Sequence, residues 1–216
     1  NEAVQSRLRG KVAAPDLIPL FRADGEGLYY RTDHHWTTAG AYLGYCAAME
    51  ALGQENAILP STAFRREVVS SSFYGTLWAA GGMEWVPPDS VEVWYRGNES
   101  DFTVTADGRE LGGFYAFSRL ESGDGYAIFL DGTHDVVTVR KQGEARPRLL
   151  VIRDSFASSL APFLAQHYDL VLLNLSSTRS DFTAVSALAT EYDADAVLLV
   201  YTLENLLTAD KLPRLR

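Results

Sequence analysis

Two short clusters hold the side chains with chemical reach: Asp33-His34-His35-Trp36 and Arg153-Asp154-Ser155-Phe156. A serine hydroxyl becomes a nucleophile when a base takes its proton, and imidazole serves best when a carboxylate fixes its tautomer and orientation. On an extended segment, residues i and i+2 share a side, so Asp33 can orient His35 while His35 reaches a serine and His34 faces away. The two adjacent histidines are half of the four in the chain. The competing reading is a packed or solvent-facing pair with no chemical task.

Ser155 follows a continuously apolar run, Leu149-Leu150-Val151-Ile152, and precedes Phe156, Leu160, Phe163 and Leu164 at helical spacing. This predicts strand, tight turn and helix, with the serine at the C-terminal end of a strand, where open α/β sheets bind ligands. The unpaired first-turn N–H groups, Phe156 and Ala157 among them, can receive a developing oxyanion. The plainer alternative is that Asp154 or Ser155 only caps the helix.

The elements that must position these clusters are legible in outline. Further apolar runs at residues 170–175 and 196–201, with a helix over 181–192 capped by Asp181, complete a β-α-β-α-β pattern. Continuous rather than alternating apolar strands predict a parallel sheet covered by helices on both faces, joined by right-handed crossovers. Upstream, Thr37 or Thr38 can cap a helix marked by Ala41, Tyr42, Tyr45, Ala48, Met49 and Leu52, closed by Gly53. Residues 28–36 read as an extended approach to it. Residues 60–143 change to short β-like runs broken by glycine, a β-rich insertion within a single domain spanning 1–216.

The 216 residues are enough for a full core, and 47% hydrophobic content argues against disorder. A net charge of −9 with no basic run argues against nucleic acid as a partner. The lone Cys46 excludes an internal disulfide framework and reads as a small buried hydrophobe. No apolar run approaches the roughly 18 residues of a membrane span. The chain starts at Asn1 rather than Met, which suggests that an anchor or targeting segment lies upstream.

The string Tyr29-Tyr30-Arg31-Thr32-Asp33-His34-His35-Trp36-Thr37-Thr38-Ala39-Gly40-Ala41-Tyr42 resembles the signature of the bacterial DHHW family. Phe73-Tyr74-Gly75-Thr76-Leu77, Tyr126-Ala127-Ile128-Phe129-Leu130 with Gly132-Thr133-His134, and Leu150-Val151-Ile152-Arg153-Asp154-Ser155-Phe156-Ala157 match it in order along most of the chain. That family is similar to the alginate O-acetyltransferase group, which has an SGNH-hydrolase-like, flavodoxin-like fold with acid and histidine ahead of the serine, a permutation of the ordinary order. The resemblance implies a triad of Asp33, His35 and Ser155. It implies O-acetyl transfer or ester hydrolysis on a cell-surface or extracellular polysaccharide, or another acylated carbohydrate. An acetyl donor handed over by a membrane partner, and a place in the cell envelope or outside it, follow from the same source. A non-catalytic surface carbohydrate-binding or assembly protein on the same fold is the alternative.

Asp-His-His also resembles the signature of the DHH phosphoesterases, which hold divalent metals with several carboxylates. Only Asp24 and Glu26 precede it here, in a glycine turn, so neither a metal nor another cofactor is expected. Thr133 stands where the resembling families often carry Asn, and losing one oxyanion donor typically costs about 10²–10³ in rate. His134 either contributes there or closes a turn. Asn205 matches a family position at the same sheet edge, or is an ordinary cap. Arg153 either draws in a carboxylate-bearing polysaccharide or pairs with a neighbouring acid. Tyr30 and Trp36 are the aromatics expected near the site. Tyr29, Tyr74, Trp78 and Trp85 are either core or a stacking floor for sugar rings.

Overall fold

The computed structural model describes residues 12–25, 27–82, 84–121, 123–175 and 184–208. Its N-terminal half runs α1 (Leu17–Asp24), α2 (Thr38–Ala51), β1 (Arg65–Phe73), α3 (Thr76–Gly81), β2 (Asp89–Tyr95) and β3 (Phe102–Ala106). There follow β4 (Arg109–Glu110), β5 (Val136–Lys141), β6 (Arg148–Arg153), α4 (Ala157–Leu164), β7 (Asp169–Asn174), α5 (Val185–Glu191), β8 (Ala196–Val200) and α6 (Leu203–Thr208).

The three apolar runs of the C-terminal third become parallel strands, β6 and β7 covered on both faces and β8 a partly buried edge strand. Leu149, Val151, Leu170 and Leu172 pack into a cluster with Tyr45 and Met49 of α2 and Leu160 and Phe163 of α4. Leu150, Ile152, Val171 and Leu173 turn to the other face, where Leu188 of α5 lies. Burying each such side chain contributes roughly 1.5–3 kcal/mol. β6 lies between its partners, with Leu150 opposite Val171 of β7 and Val197 of β8. The chain therefore leaves β6 to one side, then to the other. Ser155 stands just outside the C-terminal end of β6 at this switch point, where open α/β sheets bind ligands.

The full sheet is mixed, in the order β4-β3-β5-β7-β6-β8, so the expected parallel sheet is its three-stranded part. β5 runs antiparallel to β7, β3 to β5 and β4 to β3. The burial of β3 alternates strictly, which suits strands with one face on the core and one wetter. Within residues 60–143, β1 and β2 pair only with each other, while β3, β4 and β5 lengthen the main sheet.

Thr37 caps α2, its hydroxyl accepting the Gly40 N–H, and Gly53 closes the helix at φ +69°. The α5 helix begins at Val185, and the expected Asp181 cap lies outside the described residues. Among the described residues, no helix is long and apolar enough to cross a membrane. Residues 28–37 form a tight loop rather than an extended strand: Tyr29 bridges Trp36, Tyr30 N–H donates to His35 C=O and Thr37 N–H to Leu28 C=O.

α2 lies close against that loop. A Cβ added at Gly44 would come within 2.8 Å of the Trp36 ring, which two hydrogen bonds from its indole N–H hold in place. Gly44→Ala is expected to cost about 1–3 kcal/mol through overpacking. Thermal unfolding checks this, with a midpoint lowered by roughly 2–4 °C per kcal/mol for a chain of this size.

Candidate active site

Asp154 builds the turn that presents Ser155. Its N–H donates to Val200 C=O (3.0 Å), and its Oδ1 accepts the Phe156 N–H (3.0 Å). Its Oδ2 accepts Thr202 N–H (2.7 Å) and Asn205 Nδ2 (3.0 Å), tying the turn to the end of β8 and to α6. Asn205 thus acts through Asp154. The Phe156 N–H, expected as an oxyanion donor, is already taken. The N–H groups of Ser155 and Ala157 make no hydrogen bond among the described residues, so they are the donors left at this helix start.

Across 120 positions of sequence, the loop before α2 brings an imidazole to this turn. His35 Nε2 lies 2.6 Å from Ser155 Oγ, and His35 Nδ1 lies 2.5 Å from Asp33 Oδ1. Asp33 is 2% exposed and His35 5%. Asp33 Oδ1 also accepts the His35 N–H (3.0 Å), while Oδ2 accepts the Thr76 N–H (2.9 Å) and hydroxyl (3.1 Å). Burial alone would push the Asp33 carboxyl up. The hydrogen bonds from the His35 side chain and from the Thr76 and His35 backbone, with the His35 charge, outweigh it and hold the acid well below the usual carboxylate range.

Neighbouring residues fix these partners. Asp89 Oδ2 accepts the Thr32 hydroxyl (2.6 Å) and N–H (2.8 Å), and Thr32 in turn receives the Gly75 N–H (3.2 Å) and gives its carbonyl to Trp78 N–H (3.0 Å). That chain docks the start of α3 on the acid. A Cβ at Gly75 would overlap the Asp33 side chain, so only glycine permits the approach. Tyr126 stacks on His35 at 3.6 Å between ring centroids and 6° between planes. Its hydroxyl meets Ser159 Oγ at 2.9 Å, and Trp36 Nε1 donates to Ser159 Oγ (2.9 Å) and Phe156 C=O (3.1 Å). The histidine loop and the helix that follows Ser155 are thereby pinned together.

The remaining expected residues fall elsewhere. Tyr30 is buried, with its ring 6.4 Å from Tyr126 and its hydroxyl unpartnered among the described residues. Arg153 is fully buried, with Nη1 on Ser158 Oγ at 3.1 Å, so it does not reach solvent, and among the described residues it forms no carboxylate pair. His134 Nδ1 meets Asp107 Oδ2 at 3.0 Å in the β3–β4 turn, and Thr133 is exposed beside it. Neither makes a hydrogen bond to Ser155 or His35. His34 does not face away: its ring lies 4.0 Å from that of His35, with Nδ1 2.7 Å from Thr76 Oγ1. Donor atoms of Asp33, His34 and His35 come within 4.8 Å of one another. Both oxygens of Asp33, both ring nitrogens of His35 and Nδ1 of His34 already have hydrogen-bond partners, an arrangement suited to proton transfer rather than ligation. Sequence reasoning passed over Tyr126, Thr76 and Ser159 as site residues. The first two lie inside the matched motif strings, which was the available signal.

A parallel core with its serine at the switch point, and an acid and histidine supplied from upstream, define the SGNH-hydrolase-like class in permuted order. Residues 1–106 match the family model described as "SGNH hydrolase-like domain, acetyltransferase AlgX". No curated protein matches the chain. Bacillus cereus PatB1 superposes with a TM-score of 0.73 at 19% identity, over 95% of this chain and 73% of that one, and has also been solved with a sulfonyl adduct. A DHHW family protein from Eubacterium siraeum DSM 15702 gives 0.66 at 19% identity, over 84% of this chain and 61% of its own length. The O-acetyltransferase domain of Pseudomonas putida AlgJ gives 0.50 at 16% identity, over 100% and 68%. The SGNH-hydrolase-like fold is thereby shown, and the resemblance to the DHHW and alginate O-acetyltransferase groups holds in the family model and the solved structures alike.

Because the folded Asp33 carboxyl titrates below its unfolded value of about 3.9, its contribution to stability is present above that pH and lost as pH falls toward the folded value. The stability gap between the wild type and Asp33→Asn, measured by urea unfolding, should be full near pH 6 and shrink progressively below about pH 4.

Proposed function

We propose that the chain is a serine-dependent acyl-transfer protein, an O-acetyltransferase or O-acetylesterase acting on a cell-surface or extracellular polysaccharide or another acylated carbohydrate. The observation that carries this reading is the unbroken chain from Asp33 Oδ1 through the His35 ring to Ser155 Oγ, at 2.5 and 2.6 Å. A purely binding protein has no use for a serine hydroxyl held on a carboxylate-anchored imidazole. The match to an acetyltransferase family model and the likeness to an O-acetyltransferase domain support acetyl as the acyl group.

In this mechanism His35 Nε2 takes the Ser155 proton as Oγ attacks the ester carbonyl, and the charge forming on the carbonyl oxygen is received by the free N–H groups of Ser155 and Ala157. The bond to the leaving alcohol breaks as His35 returns the proton to it, leaving acetyl on Ser155. An acceptor hydroxyl, or water, then reverses these steps. Asp33 stays ionised throughout and holds the His35 Nδ1–H. The acetyl donor would come from a membrane partner, and the protein would work in the cell envelope or outside it, as the resemblance implies. With a net charge of −9, nucleic acid is no part of this reading.

The test is intact-mass analysis with peptide mapping after exposure to an activated acetyl ester. One acetyl on Ser155 is expected in the wild type, none in Ser155→Ala, and acylation slowed by roughly 10⁴-fold or more in His35→Ala. Failure of the folded wild type to take up acetyl on Ser155 would overturn the proposal.

A further inference from the structure

His34 is the titratable side chain at the site that the mechanism leaves unused, and its geometry assigns it a state. Thr76 Oγ1 lies 3.1 Å from Asp33 Oδ2 and 2.7 Å from His34 Nδ1. A carboxylate can only accept, so the single Thr76 hydroxyl proton goes to Asp33, and the Thr76 oxygen must accept from His34 Nδ1–H. Neutral His34 is thereby fixed in the Nδ1–H tautomer, with its lone pair on Nε2. Asp33 imposes the same tautomer on His35. Two imidazoles thus lie side by side, 4.0 Å between centroids and 34° between planes, with matched polarity. His35 Nε2 is spent on Ser155. The His34 side chain is 47% exposed, against 7% for His35, and its ring lies 6.1 Å from that of Phe156, the residue after the nucleophile. Burial and the neighbouring His35 charge push its pKa down, against the opposing pull of Asp33, Asp154 and Glu204, which favours the neutral, accepting form.

We infer that His34 reads the acceptor: its Nε2 accepts a hydrogen bond from the hydroxyl adjacent to the one that attacks, so the preferred acceptor is a vicinal diol of the kind a sugar ring offers. The inference rests on the proposed acyl transfer and names its acceptor chemistry. The attacking hydroxyl oxygen bonds to the acetyl carbon, its proton passes to His35 Nε2 and then to Ser155 Oγ, and the Ser155 ester bond breaks. The neighbouring hydroxyl keeps its proton and only donates it to His34. Because the two rings stand next to each other, the gauche hydroxyls of a 1,2-diol can meet both, whereas an isolated hydroxyl or an ether neighbour can satisfy only one.

The experiment compares acetyl transfer from p-nitrophenyl acetate to cis-1,2-cyclohexanediol and to 2-methoxycyclohexanol, scored as acetylated acceptor over released acetate. The wild type should favour the diol about five- to tenfold, as one neutral hydrogen bond allows. His34→Phe should abolish the preference, and His34→Gln, whose side-chain carbonyl still accepts, should retain part of it. No diol preference in the wild type, or one that survives His34→Phe, overturns the inference while leaving acyl transfer standing. No acetyl on Ser155 in the same reaction overturns both.

Discussion

A carboxylate taken out of water must find hydrogen bonds for both oxygens, or it loses its charge. Asp33 finds four, two from His35 and two from Thr76. Much of the local architecture follows from that demand. The loop at residues 28–37 folds back on itself so that Asp33 can meet both the backbone and the ring of His35. α3 must start with the Thr76 N–H and hydroxyl on the acid, Gly75 must lack a Cβ, and the Thr32 to Asp89 chain must hold α3 there. Leaving such a buried charge without a partner typically costs about 3–5 kcal/mol, enough to reorganise the loop. The ionised acid in turn decides which nitrogen of His35 carries the proton, and through Thr76 it decides the same for His34.

The second constraint is distance along the chain. His35 and Ser155 stand 120 positions apart in the sequence, and alignment to within hydrogen-bond reach requires the elements carrying them to be locked together. Trp36 supplies the lock on one side, its indole N–H spanning from the histidine loop to the first turn of α4. Tyr126 supplies the other, covering the His35 ring with its face while its hydroxyl meets Ser159. Every residue of α4 is buried, so the helix cannot shift without disturbing the sheet beneath it. Asp154 then sets the turn itself, leaving Ser155 exposed enough to react on an otherwise rigid support.

The sequence made the positions of the chemistry clearer than their connections. Strands β6 and β7 were legible because burial on both faces leaves an uninterrupted apolar run, β8 because its run is apolar although it is only partly buried at the sheet edge, and Asp33, His35 and Ser155 because their spacing and flanks match a recognisable pattern. The joining of β3 and β5 to the same sheet was not legible, since their alternation shows a one-faced strand without saying which sheet it enters. The direction of His34 was misread because the i, i+2 rule holds on a strand, and residues 31–35 bend instead. Phe156 offered an N–H that Asp154 occupies, a local competition visible only in three dimensions. Arg153, two residues before the serine, points into the interior because the end of its strand is covered on both faces, and its Nη1 meets Ser158 Oγ there. Ser159 meets the site only through folding, so nothing local to it could identify it, whereas Tyr126 opens one of the matched motif strings.

The central claim is that Asp33 holds the Nδ1 proton of His35 in a short, shielded hydrogen bond while Nε2 faces Ser155. Proton NMR of the wild-type protein at low temperature addresses it directly. A single N–H resonance far downfield of the amide region is expected, absent in Asp33→Asn and displaced when Ser155 is sulfonylated. A spectrum without that resonance, or one in which it persists unchanged in Asp33→Asn, would contradict the account.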